Sequence, residues 1–355
     1  MHHKNNFDFL RLMFAIFVII SHSYPLTGNK SAEFLMVLTN GRFELSDFSV
    51  KGFFVISGFL IFQSMVRSKS VINYLWKRIL RLFPGLLVVL LLTIILAPLV
   101  YESQINYFDN HRILSYVYKN ISLFRLQYII PGVFENNIYG RAINDSLWTI
   151  CYEFSLYFVM ILLFVIRKKT FILNFAILFL LMPFSVFYFQ KDHFGVYNFY
   201  QLSTNLLSEL GIYFFMGSLL ASLNIQELKN KYIFTAICIV ILFLNEIFIT
   251  NYMFIRFLIF PILIILIGTQ STKYINSFSQ KTGDLSYGVY IYAFPIQQTL
   301  MCFFILKPLQ LMLLSIPITL LFVYLSWHII EKKALEFKNL NLLSILKLNK
   351  PQYSK

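Results

Sequence analysis

Between residues 8 and 330 the chain runs through ten apolar stretches, near 8–26, 50–66, 82–101, 147–166, 171–189, 205–222, 232–249, 254–268, 285–306 and 309–330. About 20 such residues wound as a helix cross the hydrocarbon core of a bilayer, where every backbone amide must bond within its own segment. The runs therefore predict an all-α, polytopic integral membrane protein with about ten transmembrane helices. Composition agrees, since 58% apolar and 13% charged residues in 355 leave too little polar surface to cover a soluble fold. Cys151, Cys238 and Cys302 all fall inside apolar stretches and read as packing residues, with neither a disulfide framework nor metal-ligand spacing.

The formal net charge of +14 is spread over short Lys and Arg clusters between the apolar runs. That pattern sets orientation in a membrane and excludes a nucleic-acid partner. With the N-terminus in the cytoplasm, 67–81, 167–169, 229–231, 273–281 and the basic tail 339–355 all lie inside. Inside then holds roughly twice the Lys and Arg of outside. The even span count puts the C-terminus in the cytoplasm too. The first stretch carries Arg11 and His22 and lacks a small-residue cleavage site, so it stays as the first span. The long connection 102–146 falls outside, and its interrupted semi-apolar part, 113–134, reads as a lid or re-entrant element.

Arg11 and His22 share the first helix, on nearly one face and about 16 Å apart along the axis. Each costs a few kcal/mol at the bilayer centre, so the pair is either functional or held by snorkelling to the interfaces. Arg78 and Arg81 at i, i+3 stand beside Lys77 on the cationic side. They either grip phosphate with paired, charge-assisted hydrogen bonds or serve as an orientation cluster at the headgroups. His22 titrates near neutrality and is the candidate general base, with Glu153 the first candidate for the carboxylate that orients it. The alternative for Glu153 is a structural hydrogen bond between helices. Asp8, three residues before Arg11, is placed to pair with it. Ser57 either lines the path or, with Gly58, permits close helix packing.

Several segments resemble the membrane-bound acyltransferase family 3. NNFDFLRLMFAIFVIISHS resembles its first helix, with a basic residue and a His separated by ten, and FFVISGF (53–59) resembles its second-helix motif. RILRLFP (78–84), SLWTICYEFSLYF (146–158), LSYGVYIYAFP (285–295) and SWHIIEKKALEF (326–337) are similar to four further elements in the family's order. Thr149, Ala293 and Lys333 stand where many relatives carry Ser, His and Pro. The resemblance implies one acyltransferase transmembrane domain over 1–338. It implies His22 and Glu153 as catalytic residues, Arg11, Arg78 and Arg81 as the acyl-coenzyme A site, and Asp8, Ser57, Gly58, Trp148, Tyr287 and Glu331 in support. It implies acetyl-coenzyme A as a co-substrate from the cytoplasm, with no permanently bound cofactor and no metal. The acceptor is a hydroxyl of an extracytoplasmic carbohydrate or lipid-linked glycan such as capsule, O-antigen or exopolysaccharide. The setting is the bacterial inner membrane. The competing class is a transporter or flippase of a lipid-linked glycan, which would change sidedness and leave no ester.

Overall fold

The computed structural model describes residues 5–248, 253–272, 275 and 283–340. Its helices in chain order are α1 (Phe7–Leu26), α2 (Phe34–Leu38), α3 (Leu45–Arg67), α4 (Val71–Leu96), α5 (Arg112–Ile121), α6 (Trp148–Ile161) and α7 (Thr170–Phe189). After α8 (Lys191–Phe194) and a two-stranded hairpin, β1 (Asn198–Phe199) and β2 (Leu202–Ser203), come α9 (Thr204–Ser222), α10 (Lys231–Phe248) and α11 (Met253–Thr269). The last are α12 (Ser286–Phe303), α13 (Pro308–Ser326) and, beyond a π-turn at Trp327–Glu331, α14 (Lys332–Glu336). Each apolar stretch of the sequence carries a helix. Among the described residues five, Phe7–Leu26, Leu45–Arg67, Val71–Val100, Thr170–Phe189 and Pro308–Glu336, are long and apolar enough to cross a membrane by themselves. The chain is an all-α membrane protein. The basic loop 273–281, apart from residue 275, and the tail beyond residue 340 lie outside the described residues.

Two expectations are corrected. The third helix begins at Val71 rather than near 82, because Ser70 caps it by accepting from the Asn73 amide at 3.1 Å. Lys77, Arg78 and Arg81 consequently stand within α4, not at its mouth. The 102–146 segment is a cap fastened to α12. Pro295 has no N–H to give the Ile291 carbonyl, and the Asn144 side chain donates to that oxygen instead, through Nδ2 at 2.8 Å. Asn137 Nδ2 donates to Gln298 Oε1 at 2.8 Å, and Gln298 Nε2 returns a bond to the Ala142 carbonyl at 2.7 Å. Of the semi-apolar part only α5 is helical.

The core is built on the pair α3 and α9, which touch more extensively than any other two helices. Gly58 meets the Phe214 carbonyl and Gly217 the Val55 carbonyl so closely that a Cβ would stand 1.8 and 2.1 Å from those oxygens. Ser218 Oγ then donates to the Gly58 carbonyl at 3.1 Å. Small residues let the two backbones approach, as packing within lipid requires. Gly58→Ala forces the helices apart and should cost about 1–3 kcal/mol, read as a lowered Tm in detergent. An unchanged Tm contradicts the close approach.

Candidate active site

α1, α3, α4, α6 and α12 enclose a cavity of about 200 Å³ whose polar lining is Arg11, Ser57, Lys77, Arg78, Arg81, Thr149, Glu153, Tyr157, Tyr287, Tyr290 and Lys338. It runs from a basic end, at Lys77 and Lys338, inward to Thr149, whose Oγ1 lies 2.8 Å from the Tyr290 hydroxyl. All three arginines expected at a donor site line this one cavity.

Their partners differ. Arg11 Nη1 and Arg81 Nη2 both donate to the same oxygen, Asp284 Oδ2, each at 2.5 Å. The other oxygen of Asp284 accepts from Ser286 Oγ at 2.6 Å. Burial opposes ionisation of Asp284, which precedes the α12 span, but the two guanidinium groups outweigh it and hold the carboxyl well below its ordinary range. Arg81 also lies between the rings of Tyr287 and Trp327, 5.9 and 5.7 Å from their centroids. Gly283, at φ +83°, passes so tightly under Trp327 that a Cβ would stand 2.2 Å from its Nε1. Arg78 Nη2 reaches Ser64 Oγ at 3.2 Å, and its buried Nε has no hydrogen-bond partner among the described residues. A buried donor left open inside a cavity points to a ligand acceptor.

Glu153 does not serve His22. Its Oε1 accepts from Ser57 Oγ and from the Tyr157 hydroxyl, both at 2.6 Å, among the arginines. Thus Ser57 faces the cavity and Gly58 the helix packing, so the two uses considered for the Ser-Gly pair divide between its members. The Tyr287 hydroxyl donates to the Leu82 carbonyl at 2.9 Å, an anchoring role. Trp148 packs edge-on against Tyr152 outside the cavity lining. Glu331, on the π-turn, accepts from Ser326 Oγ at 3.1 Å, and its buried Oε2 has no hydrogen-bond partner among the described residues. The guanidinium of Arg11 is held by Asp284, and the charge of Asp8, three residues earlier, acts on it as well.

His22 stands at the other end of α1, under the cap. One turn beyond Tyr290 on α12, Phe294 meets the imidazole edge-on at 5.4 Å between centroids. The far side of Phe294 meets Tyr139, 5.5 Å away, whose hydroxyl donates to Asp145 Oδ2 at 2.6 Å. His22 Nδ1 is buried with no hydrogen-bond partner among the described residues, and Asp145 and Glu44 are carboxylates whose charge reaches it. Beside it Ser21 Oγ donates to Glu33 Oε2 at 3.2 Å. Ala293, on the neighbouring stretch of α12, is buried.

A pocket lined by three arginines and a buried histidine near carboxylates thus share one helix, α1. Residues 4–330 match the family described as "Acyltransferase domain", acyltransferase family 3, and the chain belongs to that family. It is 28% identical over 348 residues, 94% of this chain and 97% of the relative, to a protein of Shigella phage Sf6 named "O-acetyl transferase". It is 40% identical over 96 residues, 24% of this chain and 23% of the relative, to "Nodulation protein 10" of Rhizobium leguminosarum bv. viciae. No solved structure matches. The protein is an enzyme that transfers acyl groups, which displaces the flippase alternative.

Proposed function

We propose that this enzyme, in a bacterial inner membrane with both termini cytoplasmic, moves an acetyl group from cytoplasmic acetyl-coenzyme A to a hydroxyl of a carbohydrate, free or lipid-linked, on the outer side. The observation that carries this is the open Arg78 Nε in a cavity already lined by Arg11 and Arg81, one helix length from His22. At about 200 Å³ the cavity is below the about 300–1,000 Å³ that holds a drug-sized ligand. It suits the thin thioester arm, with the nucleotide phosphates at the mouth near Lys77, Arg78 and Lys338. Glu153 fixes the Ser57 and Tyr157 hydroxyls along that arm. His22 takes the proton of the acceptor hydroxyl as its oxygen bonds to the thioester carbon. The carbon–sulfur bond breaks, and the coenzyme A thiolate leaves and is protonated.

Calorimetric titration of the detergent-solubilised enzyme with acetyl-coenzyme A tests the donor half. A charge-assisted hydrogen bond is worth roughly 1.5–3 kcal/mol, so Arg78→Ala should raise Kd by about one to two orders of magnitude. Arg78→Lys should rescue only part, since an ammonium lacks the fork. This reverses the ranking that depth alone suggests, in which Arg11 would lose most, because Arg11 is already committed to Asp284. If Arg78→Ala binds like wild type, the cluster is an orientation signal and the donor sits elsewhere.

A further inference from the structure

At the cap end, away from the central cavity, a groove of about 540 Å³ is lined by Arg112, Lys119, Arg125, Tyr128, Tyr200 and Gln201, among others. Its three cations have no carboxylate partner among the described residues. Arg125 instead lies over the Tyr200 ring, 4.9 Å from its centroid, and donates to the Tyr200 hydroxyl at 3.1 Å.

Both walls are fastened. On one side Gln127 Oε1 accepts from Ser115 Oγ at 2.6 Å and its Nε2 donates to the Arg112 carbonyl at 2.9 Å. Asn120 clamps the Gln127 main chain in both directions, at 3.0 and 2.9 Å. On the other side the Tyr152 hydroxyl accepts from the Ser203 amide at 2.9 Å and donates to the Gln201 carbonyl at 3.0 Å. Tyr152 belongs to α6, next to Glu153. Tyr128 also lines the groove; its carbonyl accepts from the Ile143 amide at 2.8 Å, and its hydroxyl lies within electrostatic reach of Asp145. Asp145 is also one of the carboxylates that act on His22.

Unpaired cations on a fixed frame ask for anionic groups, and exposed aromatic faces beside them suit the C–H faces of sugar rings. We propose that this groove binds an acidic carbohydrate chain. Its carboxylates or phosphates pair with Arg112, Lys119 and Arg125, its rings lie on Tyr200 and Tyr128, and the chain is led toward His22. The proposal rests on a carbohydrate being the acceptor and narrows that acceptor to an anionic class. A lipid headgroup suits the site less well, because it would use the exposed cations but not the Tyr200 and Tyr128 rings beside them.

The test is calorimetry in detergent with a tetragalacturonate, using maltotetraose as its neutral counterpart. The tetragalacturonate should bind, more weakly as salt rises, and maltotetraose about tenfold more weakly or worse. The triple variant Arg112→Gln, Lys119→Gln, Arg125→Gln should lose about tenfold or more of the tetragalacturonate affinity, and Tyr200→Leu severalfold. These side chains sit at the surface, and a wild-type Tm checks that the variants fold. Equal binding of the two sugars, no binding of either, or a triple variant that binds like wild type overturns the proposal. So does displacement of the sugar by phosphatidylglycerol vesicles, which makes the groove a lipid contact. Acetyl-coenzyme A titration of the wild type separates the two ideas: if the acid sugar binds through these residues but the donor does not bind, the groove stands and the donor site falls.

Discussion

Conversion of His22 to alanine lowers acetyl transfer by about 10²–10⁴-fold, the usual contribution of a positioned general base, and leaves acetyl-coenzyme A binding close to wild type. The two effects separate because His22 is not among the residues that line the donor cavity, whose inner end carries Thr149 and Tyr290. Loss of the imidazole removes one edge contact to Phe294 and leaves that ring against Tyr139, so Tm should fall little. Acetyl esters on the acceptor, counted by mass spectrometry, and donor Kd from calorimetry are the two readouts. Wild-type ester formation by His22→Ala would remove His22 from the chemistry. Asp145→Asn should lower turnover more than Glu153→Gln changes it through His22, because the charge of Asp145 reaches the imidazole and Glu153 bonds to Ser57 and Tyr157 instead. Glu153→Gln should act through donor binding.

That last contrast marks where the sequence stops being legible. The helices are readable because length and apolarity are local, and each apolar run carries one. Arg11, Arg78 and Arg81 are also readable as a group, since charge beside apolar runs stands out and the helices bring all three to one cavity. The start of α4 is not, because a hydropathy window discounts NYLWKRILR although its long basic side chains snorkel and its Ser70 cap is a short-range signal. The partners of the key residues are hidden for another reason. Asp284 meets Arg11 across 273 positions of sequence, from a connection next to a basic loop. No spacing rule reports such a contact. Asp145 sits in a 3-10 turn before α6, at Asp145–Leu147, and Glu44 just ahead of α3. Glu153 looked closer only because distance along a helix can be counted and distance between loops cannot.

Asp284→Ala should be the most damaging single change to stability in the donor half. One carboxylate oxygen holds two arginines whose side chains, at 19% and 14% exposed, are largely shielded from water. Removal of the anion leaves two like charges close together without a counter-ion, and breaking a buried pair from one side typically costs about 3–5 kcal/mol. The loss should appear as a lower Tm in detergent. It should be partly reversed in Asp284→Ala with Arg11→Met, because the second change removes one of the orphaned charges and puts an apolar chain in its place. The double-mutant cycle should therefore be non-additive by more than about 0.5 kcal/mol. The sign of the pH dependence follows from the lowered carboxyl. Asp284 is ionised in the fold below the ordinary carboxylate range, so its contribution is complete above about pH 4 and fades only as the pH falls through the depressed value. Wild-type Tm should show no step from this group between pH 5 and 9. Additive losses, or a wild-type Tm for Asp284→Ala, would mean that the two arginines are placed by α1 and α4 alone. The donor cavity would then owe its shape to helix packing and not to this ion triad.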